Sequence, residues 1–362
     1  MDRSKKDLFS DKLTDILNMG ALNLAMGIGY RIGLFEVMDG FDCPRPVAAI
    51  ADKAGLDQRY VTEWLGVMVT GGIIELVKSE DLDNLFFLPR AHADFLTHRS
   101  GNANLGVYTQ EIPLLTRCGM DGVMDGFATG DGVPFANYQN FQAFMAELSD
   151  AKHRQVLVDT FLPSVAGGEV VTRLKQGIRV CDLGCSQGVA LLLMAQAFPQ
   201  SFFTGMDIDA VAIEQANRDA GHLQISNVRF VVADAAALAG GKKFCEYFDY
   251  VTAFDAIHDQ IHPLKALFGV YHILAPDGFF SMIDIAAETD IQANIGHPMG
   301  PFLYTVSLMH CMPVGLMDGG TGLGMMWGRQ QAVKLLCQAG FSTVSVEEIP
   351  EDSFNDHFLC RK

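Results

Sequence analysis

Positive charge is scarce in this chain. Its 362 residues carry 26 Lys and Arg against 43 Asp and Glu, a formal net charge of −17. So uniform an excess of acid repels phosphate, which speaks against general affinity for nucleic acid or an anionic membrane. Neutral and cationic small molecules remain open as ligands. Tryptophan is nearly missing, at 2 residues, and charged residues are only 19% of the chain. A long disordered segment finds no room in such a composition.

No apolar run reaches the roughly 18–20 residues that a bilayer span needs. The opening "MDRSKKDLFSDKLTDILNMG" begins basic but turns amphipathic and acidic, unlike a signal peptide. The 8 cysteines are scattered without the spacing of a disulfide framework. A chain of this length needs no such staples, so reduced thiols in a cytoplasm are expected. Internal repeats and low-complexity segments are also lacking.

What is there falls into three parts. Residues 1–98 read as helices followed by a hairpin. In "PVAAIADKAGLDQRYVTEWLGVMVTGG" a helix, a turn at Gly55-Leu56-Asp57 and a second helix capped by Asp57 follow one another. "IIELVKSEDLDNLFFLP" then gives two short strands around a charged loop. A helix-turn-helix with a hairpin is a winged helix. Its second helix offers Arg59 as the only cation, beside Glu63, so dimerisation is expected and DNA binding is not. The apolar positions Leu22, Leu24, Met26, Ile28, Ile32, Leu34, Phe35 and Val37 are expected against a partner chain.

Residues 99–170 read as a connector and lid, with glycine-rich turns over "CGMDGVMDGFATGDGVPFANY" and a helix over "FQAFMAELSDAKHRQVLVDTFLP". From residue 171 to 362, apolar strands and helices alternate, the pattern of a parallel sheet covered on both faces. "FSTVSVEEI" and "HFLCR" close the chain as a hairpin.

The chemistry concentrates in "VCDLGCSQG", where an apolar strand meets a tight turn before an apolar helix. Cys181 and Cys185 lack the companions of a zinc site. A dinucleotide fingerprint fails because Ser186 and Val189 stand where glycines are needed. Asp182-x-Gly184-x-x-x-Gly188 instead resembles the first motif of class I S-adenosylmethionine-dependent methyltransferases. The resemblance extends through Asp207-Ile208 after the second strand, Asp234-Ala235 after the third, Phe254 after the fourth, and "LAPDGFFSMID" before the fifth.

That resemblance implies a Rossmann-like α/β sheet behind a winged helix. S-adenosylmethionine would lie on Asp182, Gly184, Ser186, Gly188, Asp207, Ile208, Asp234, Ala235 and Phe254, leaving S-adenosylhomocysteine as product. No metal is expected. Ser186 stands where the family has glycine, so its backbone is expected in an ordinary region, with the hydroxyl free to bond the donor. "FQAFMAEL" resembles the family's covering helix, with Phe141 and Met145 over the adenosine or as plain core contacts.

Small-molecule O-methyltransferases of this kind carry His-Asp-Trp after the fourth strand. Here His258-Asp259-Gln260 stands there, making His258 the candidate base and Asp259 its neighbour in catalysis. His258 and His262 also spell H-x-x-x-H, but Pro263 interrupts the helix a metal site would want. The Met- and Gly-rich "GHPMGPFLYTVSLMHCMPVGLMDGGTGLGMMWG" suggests a pliable acceptor pocket lined by Tyr304, His310, Met312 and Trp327. The expected protein is a cytoplasmic homodimer that methylates a small acceptor, at oxygen before sulfur or nitrogen. A cofactor-sensing winged-helix regulator is the alternative of another class.

Overall fold

The computed structural model describes residues 4–78, 84–350 and 352–362. The chain separates into two compact units, Met1–Arg117 and Cys118–Lys362.

In the first unit a long helix, Lys5–Arg31, starts under Ser4, whose hydroxyl accepts from the Asp7 N–H. Two shorter helices, Val47–Ala54 and Gln58–Thr70, meet at Gly55, whose φ of +65° lets the chain turn. Asp57 caps the second helix by accepting from the N–H groups of Arg59 at 2.9 Å and Tyr60 at 3.2 Å. Strands β1 (Arg45–Pro46), β2 (Glu75–Lys78) and β3 (Asn84–Phe87) form an antiparallel sheet in the order β1-β3-β2. The charged loop expected over residues 79–83 lies outside the described residues.

Leu34 and Phe35 are buried in this unit's own core with Ile50, Leu65 and Met68. Their expected role against a partner chain is therefore corrected, because they fill the core under the helix-turn-helix. Leu24, Ile28 and Ile32 do face outward, each about half exposed. Arg59 is paired with Glu63 at 2.5 Å, both well exposed.

The second unit holds strands β4 (Arg179–Leu183), β5 (Phe202–Asp207), β6 (Val228–Val232), β7 (Phe248–Phe254), β8 (Leu274–Ile285), β9 (Thr343–Ile349) and β10 (Asp352–Arg361). They form one sheet in the order β6-β5-β4-β7-β8-β10-β9. Pairs from β6 through β8 are parallel, and β10 runs antiparallel between β8 and β9.

The apolar side chains of β4 join the cores on the two faces of the sheet. Val180 packs in a cluster with Leu191, Phe203 and Phe279, whereas Cys181 and Leu183 pack with Val251, Leu267 and Phe280. Strand order reverses beside β4, which opens a crevice at the carboxyl ends of β4 and β7 where ligands of such sheets bind.

The first part of the glycine-rich stretch is a helix, Glu111–Thr129, which corrects the turns expected there; beyond it the chain does turn, at Gly130 with φ of 78°. Gly119, Gly122 and Gly126 fall on one face of the helix. A Cβ on Gly119 would stand 2.6 Å from the Tyr138 hydroxyl, and one on Gly126 2.9 Å from the Asp131 carbonyl. These glycines let the following chain pack closely against the helix.

Candidate active site

At the end of β4 the backbone turns through three left-handed residues in five, with φ of 70° at Gly184, 47° at Ser186 and 78° at Gly188. A Cβ on Gly184 would come within 2.5 Å of the Ala256 methyl, and one on Gly188 would run into the Phe230 ring. Both positions therefore need glycine for space as well as for φ.

Ser186 does not occupy the ordinary backbone region expected of it. Its positive φ costs roughly 1–2 kcal/mol, and the compensation is visible: its N–H donates to the Asp207 carboxylate at 2.8 Å. The Ser186 side chain is exposed. Cys181 and Cys185 are buried and free, and burial lifts both thiols well above their ordinary pKa.

Asp182 lies beneath this turn, 2% exposed, and accepts a 2.6 Å hydrogen bond from the Thr252 hydroxyl. Burial pushes its pKa up to about 7; the Thr252 bond opposes that rise and the Asp207 charge adds to it. Burial also raises Asp207, although the N–H groups of Ser186 and Asp209 bond its two oxygens. Among the described residues neither carboxylate has a cationic partner.

Ile208, just past β5, is 66% exposed. Asp234 is exposed and caps the turn Ala235–Gly240 through a 2.8 Å bond from the Ala236 N–H. Phe254, at the end of β7, meets the rings of His153 at 4.8 Å and Phe161 at 5.9 Å between centroids.

The helix Gln139–Val156 carries the residues expected to cover the adenosine. Ala143, Ala146, Glu147, Asp150, Ala151 and Arg154 line a cavity of about 370 Å³ with Gln187 of the turn. Phe141 stands elsewhere, buried with its ring 4.8 Å from His310, while Met145 is half-buried.

Past β7, His258 is 3% exposed, and its Nδ1 lies 2.8 Å from an oxygen of Asp284, itself 0% exposed. Its Nε2 is 3.3 Å from an Asp259 oxygen without an aligned hydrogen bond. Burial pushes the imidazole pKa down, but the Asp284 and Asp259 charges lift it by more, so it stands well above its ordinary value. A π-helical turn, Ser307–Cys311, brings in Cys311 and also His310, whose Nδ1 is 3.9 Å from Asp259. Such turns often mark functional sites.

Residues 174–299 match the family model described as a methyltransferase domain, and residues 20–98 match the Rv2258c-like winged HTH domain. The chain is a methyltransferase of the class I fold with an N-terminal winged helix. Human N-acetylserotonin methyltransferase, solved with S-adenosylmethionine, shares 18% identity and a TM-score of 0.69, covering 100% of this chain and 99% of that one. Mitomycin 7-O-methyltransferase gives 14% and 0.64 over 99% of each chain. The O-methyltransferase of neocarzinostatin biosynthesis, solved with S-adenosylmethionine and 2-hydroxy-5-methyl naphthoic acid, gives 14% and 0.61 over 94% of this chain and 95% of that one. No curated protein matches the sequence.

In this methyltransferase the residues expected around the acceptor divide. His310 and Met312 belong to the segment beside His258, with His310 6% exposed and Met312 half-buried. Tyr304 instead holds the 288–294 loop, 3.1 Å from the Asn294 amide. Trp327 is corrected from pocket wall to core: it is 5% exposed among Phe280, Leu335 and Leu336.

Two members of the site were missed from sequence. Asp284 is a lone acid in the apolar strand "FFSMIDI", and that contrast was its signal. Tyr138 meets His310 edge-on at 4.8 Å and donates to the Met309 carbonyl at 2.6 Å, and nothing in its sequence context marks it.

Proposed function

We propose that the methyltransferase carries a methyl group from S-adenosylmethionine to an oxygen of a small, partly apolar molecule, with His258 taking the acceptor's proton. The observation that carries this reading is the buried His258–Asp284 pair past β7, with the Asp284 carboxylate 2.8 Å from Nδ1. When bound, S-adenosylmethionine supplies a methyl group activated on a positively charged sulfur.

The residues present suit that donor. Asp182 and Asp207 are carboxylates held near the turn without a protein cation, and a cationic ligand would answer both. Gly184, Ser186 and Gly188 would let backbone approach its amino-acid end. Ile208, Asp234, Ala235 and Phe254 would take its nucleoside. The solved relatives bound to S-adenosylmethionine support the same choice.

His258 Nδ1 keeps its proton toward Asp284, which fixes the tautomer and orients the ring. Only the neutral ring, with Nε2 free of a proton, can act; the nearby carboxylates favour its protonated form, so activity should rise with pH as that second proton is lost to solvent. An acceptor hydroxyl held against Nε2 would give its proton to the ring, leaving its oxygen free to take the methyl group that the donor supplies. Asp284 raises the basicity of the ring and stabilises the charge it acquires. Holding the reactants in line contributes most of the remaining acceleration.

The chain works as a homodimer through its first unit. The helix Lys5–Arg31 supports this: Phe9, Leu17 and Met19 are each more than 60% exposed. No helix among the described residues is long and apolar enough to cross a membrane.

A screen of phenols, thiols and amines with labelled donor tests the acceptor class. Turnover with phenols that requires His258 is the expected result. Turnover with thiols or amines alone, indifferent to His258→Ala, would defeat the reading.

A further inference from the structure

Methyl transfer leaves part of the chemistry around His258 unused. Cys311 is a buried thiol with no step to perform. Asp259 keeps one carboxylate oxygen enclosed and without a hydrogen-bond partner. We propose that His258 Nε2, an Asp259 oxygen and Cys311 Sγ form a binding site for a single zinc ion, whose occupancy shuts off the base.

The three donor atoms lie within 4.8 Å of one another. Nε2 and the Asp259 oxygen are 3.3 Å apart. Tetrahedral zinc with ligand bonds of about 2.0–2.1 Å sets neighbouring donors about 3.3–3.4 Å apart. That pair therefore already spans one edge of a zinc polyhedron. Sulfur sits slightly farther from zinc, at about 2.3 Å, so a small side-chain turn of Cys311 completes the face.

The mixed nitrogen, oxygen and sulfur set favours zinc over magnesium or calcium, which take oxygen alone. Asp284 supplies the outer partner such sites use. It holds Nδ1 at 2.8 Å, aims Nε2 at the ion and adds to its basicity. His310 Nδ1 lies 3.9 Å from the second Asp259 oxygen. His262, the other half of the H-x-x-x-H pair, is no part of this cluster.

Three protein ligands leave a fourth position for water. An ion on Nε2 occupies the lone pair that would take the acceptor's proton. Zinc binding and base catalysis then exclude each other; this consequence rests on the proposed role of His258, whereas binding itself does not.

The test uses the full chain with the exposed Cys43, Cys245 and Cys337 changed to serine. Zinc is titrated against a chromophoric zinc indicator, and the bound ion is read by X-ray absorption. One ion per chain, with a single sulfur at about 2.3 Å among nitrogen and oxygen neighbours, is expected. Cys311→Ser should remove the sulfur signal, and Asp284→Asn should weaken binding about 10–100-fold. Circular dichroism checks that both variants fold.

Transfer to a phenol should fall with the same midpoint and return with a chelator. Absence of one-to-one binding, or an unchanged absorption spectrum in Cys311→Ser, overturns the site. Such a failure leaves the His258 reading intact if His258→Ala still loses rate in metal-free buffer. Zinc that binds without slowing transfer overturns the blocking step, and with it the base.

Discussion

The Asp284 carboxylate lies 2.8 Å from His258 Nδ1, and both side chains are enclosed at the end of the sheet. A charge buried this deeply keeps the ring in one tautomer, which a solvent-exposed carboxylate would do poorly. His258→Ala should lower kcat by about 10²–10⁴-fold, the usual worth of a positioned base. Asp284→Asn, a positioning change, should cost at least about tenfold in kcat with the donor's dissociation constant unchanged. Stopped-flow or labelled-donor kinetics beside calorimetric donor binding separates the two quantities. A loss of only a few-fold in His258→Ala would remove the base from the mechanism.

Ser186 pays for a left-handed backbone with φ of 47°. Ser186→Gly should relieve that strain and raise Tm by about 1–4 °C, for a net gain of roughly 0.5–1 kcal/mol. Donor affinity should fall by about 3–10-fold if the exposed hydroxyl makes one ordinary hydrogen bond to it. Calorimetry on the variant reads both. An unchanged affinity would assign the serine no part in binding.

The parallel sheet, the winged helix and the acids at 182 and 207 were legible because each has a local signature. Alternation of apolar strands and helices gives the sheet, and Gly55 with Asp57 gives the helix-turn-helix. Gly119, Gly122 and Gly126 mislead because a run of glycines read in one dimension looks like turns. Their spacing of three and four places them on one helix face against Tyr138, Val133 and Asp131. Trp327 misleads in the same way, since a large ring near a Met-rich segment suits a pocket or a core equally. Asp284 was hidden by register: only the fold reveals that its strand ends beside His258.

Asp182 offers a pH signature for donor binding. In the free protein its pKa is about 7, raised chiefly by burial. A cationic ligand lowers it, so the bound protein holds fewer protons and affinity must rise as pH climbs through about 7, levelling above. Calorimetry in two buffers of different ionisation enthalpy should detect proton release near pH 6.5. Asp182→Asn should bind more weakly and lose the pH dependence. A flat profile in the unaltered protein would mean that the donor does not feel this carboxylate.

Along the helix Lys5–Arg31, Ile16 is 53% exposed and Leu17 67%. A stable dimer buries about 800 Å² on each partner, with an apolar centre. Ile16→Glu combined with Leu17→Glu should convert a dimer to a monomer in sedimentation velocity, with circular dichroism unchanged. A monomer before any substitution would put the interface out of court.

His357 sets a stability limit on the acid side. It is 2% exposed, its Nε2 lies 2.8 Å from the Ser281 hydroxyl, and its ring meets Phe161 at 5.2 Å. Burial pushes its pKa down, and the nearby Glu347 only partly opposes that. The unfolded chain takes up a proton at its ordinary pKa of about 6.5, while the folded chain resists until lower pH. Stability from the neutral ring is therefore complete above about pH 6.5 and is lost as pH falls toward the folded value. His357→Gln keeps a hydrogen-bonding amide and cannot ionise. Between pH 6.5 and 5, urea midpoints of the unaltered protein should fall more steeply than those of the variant, by at most about 1.4 kcal/mol per pH unit. Parallel curves would mean that the buried ring keeps its ordinary pKa.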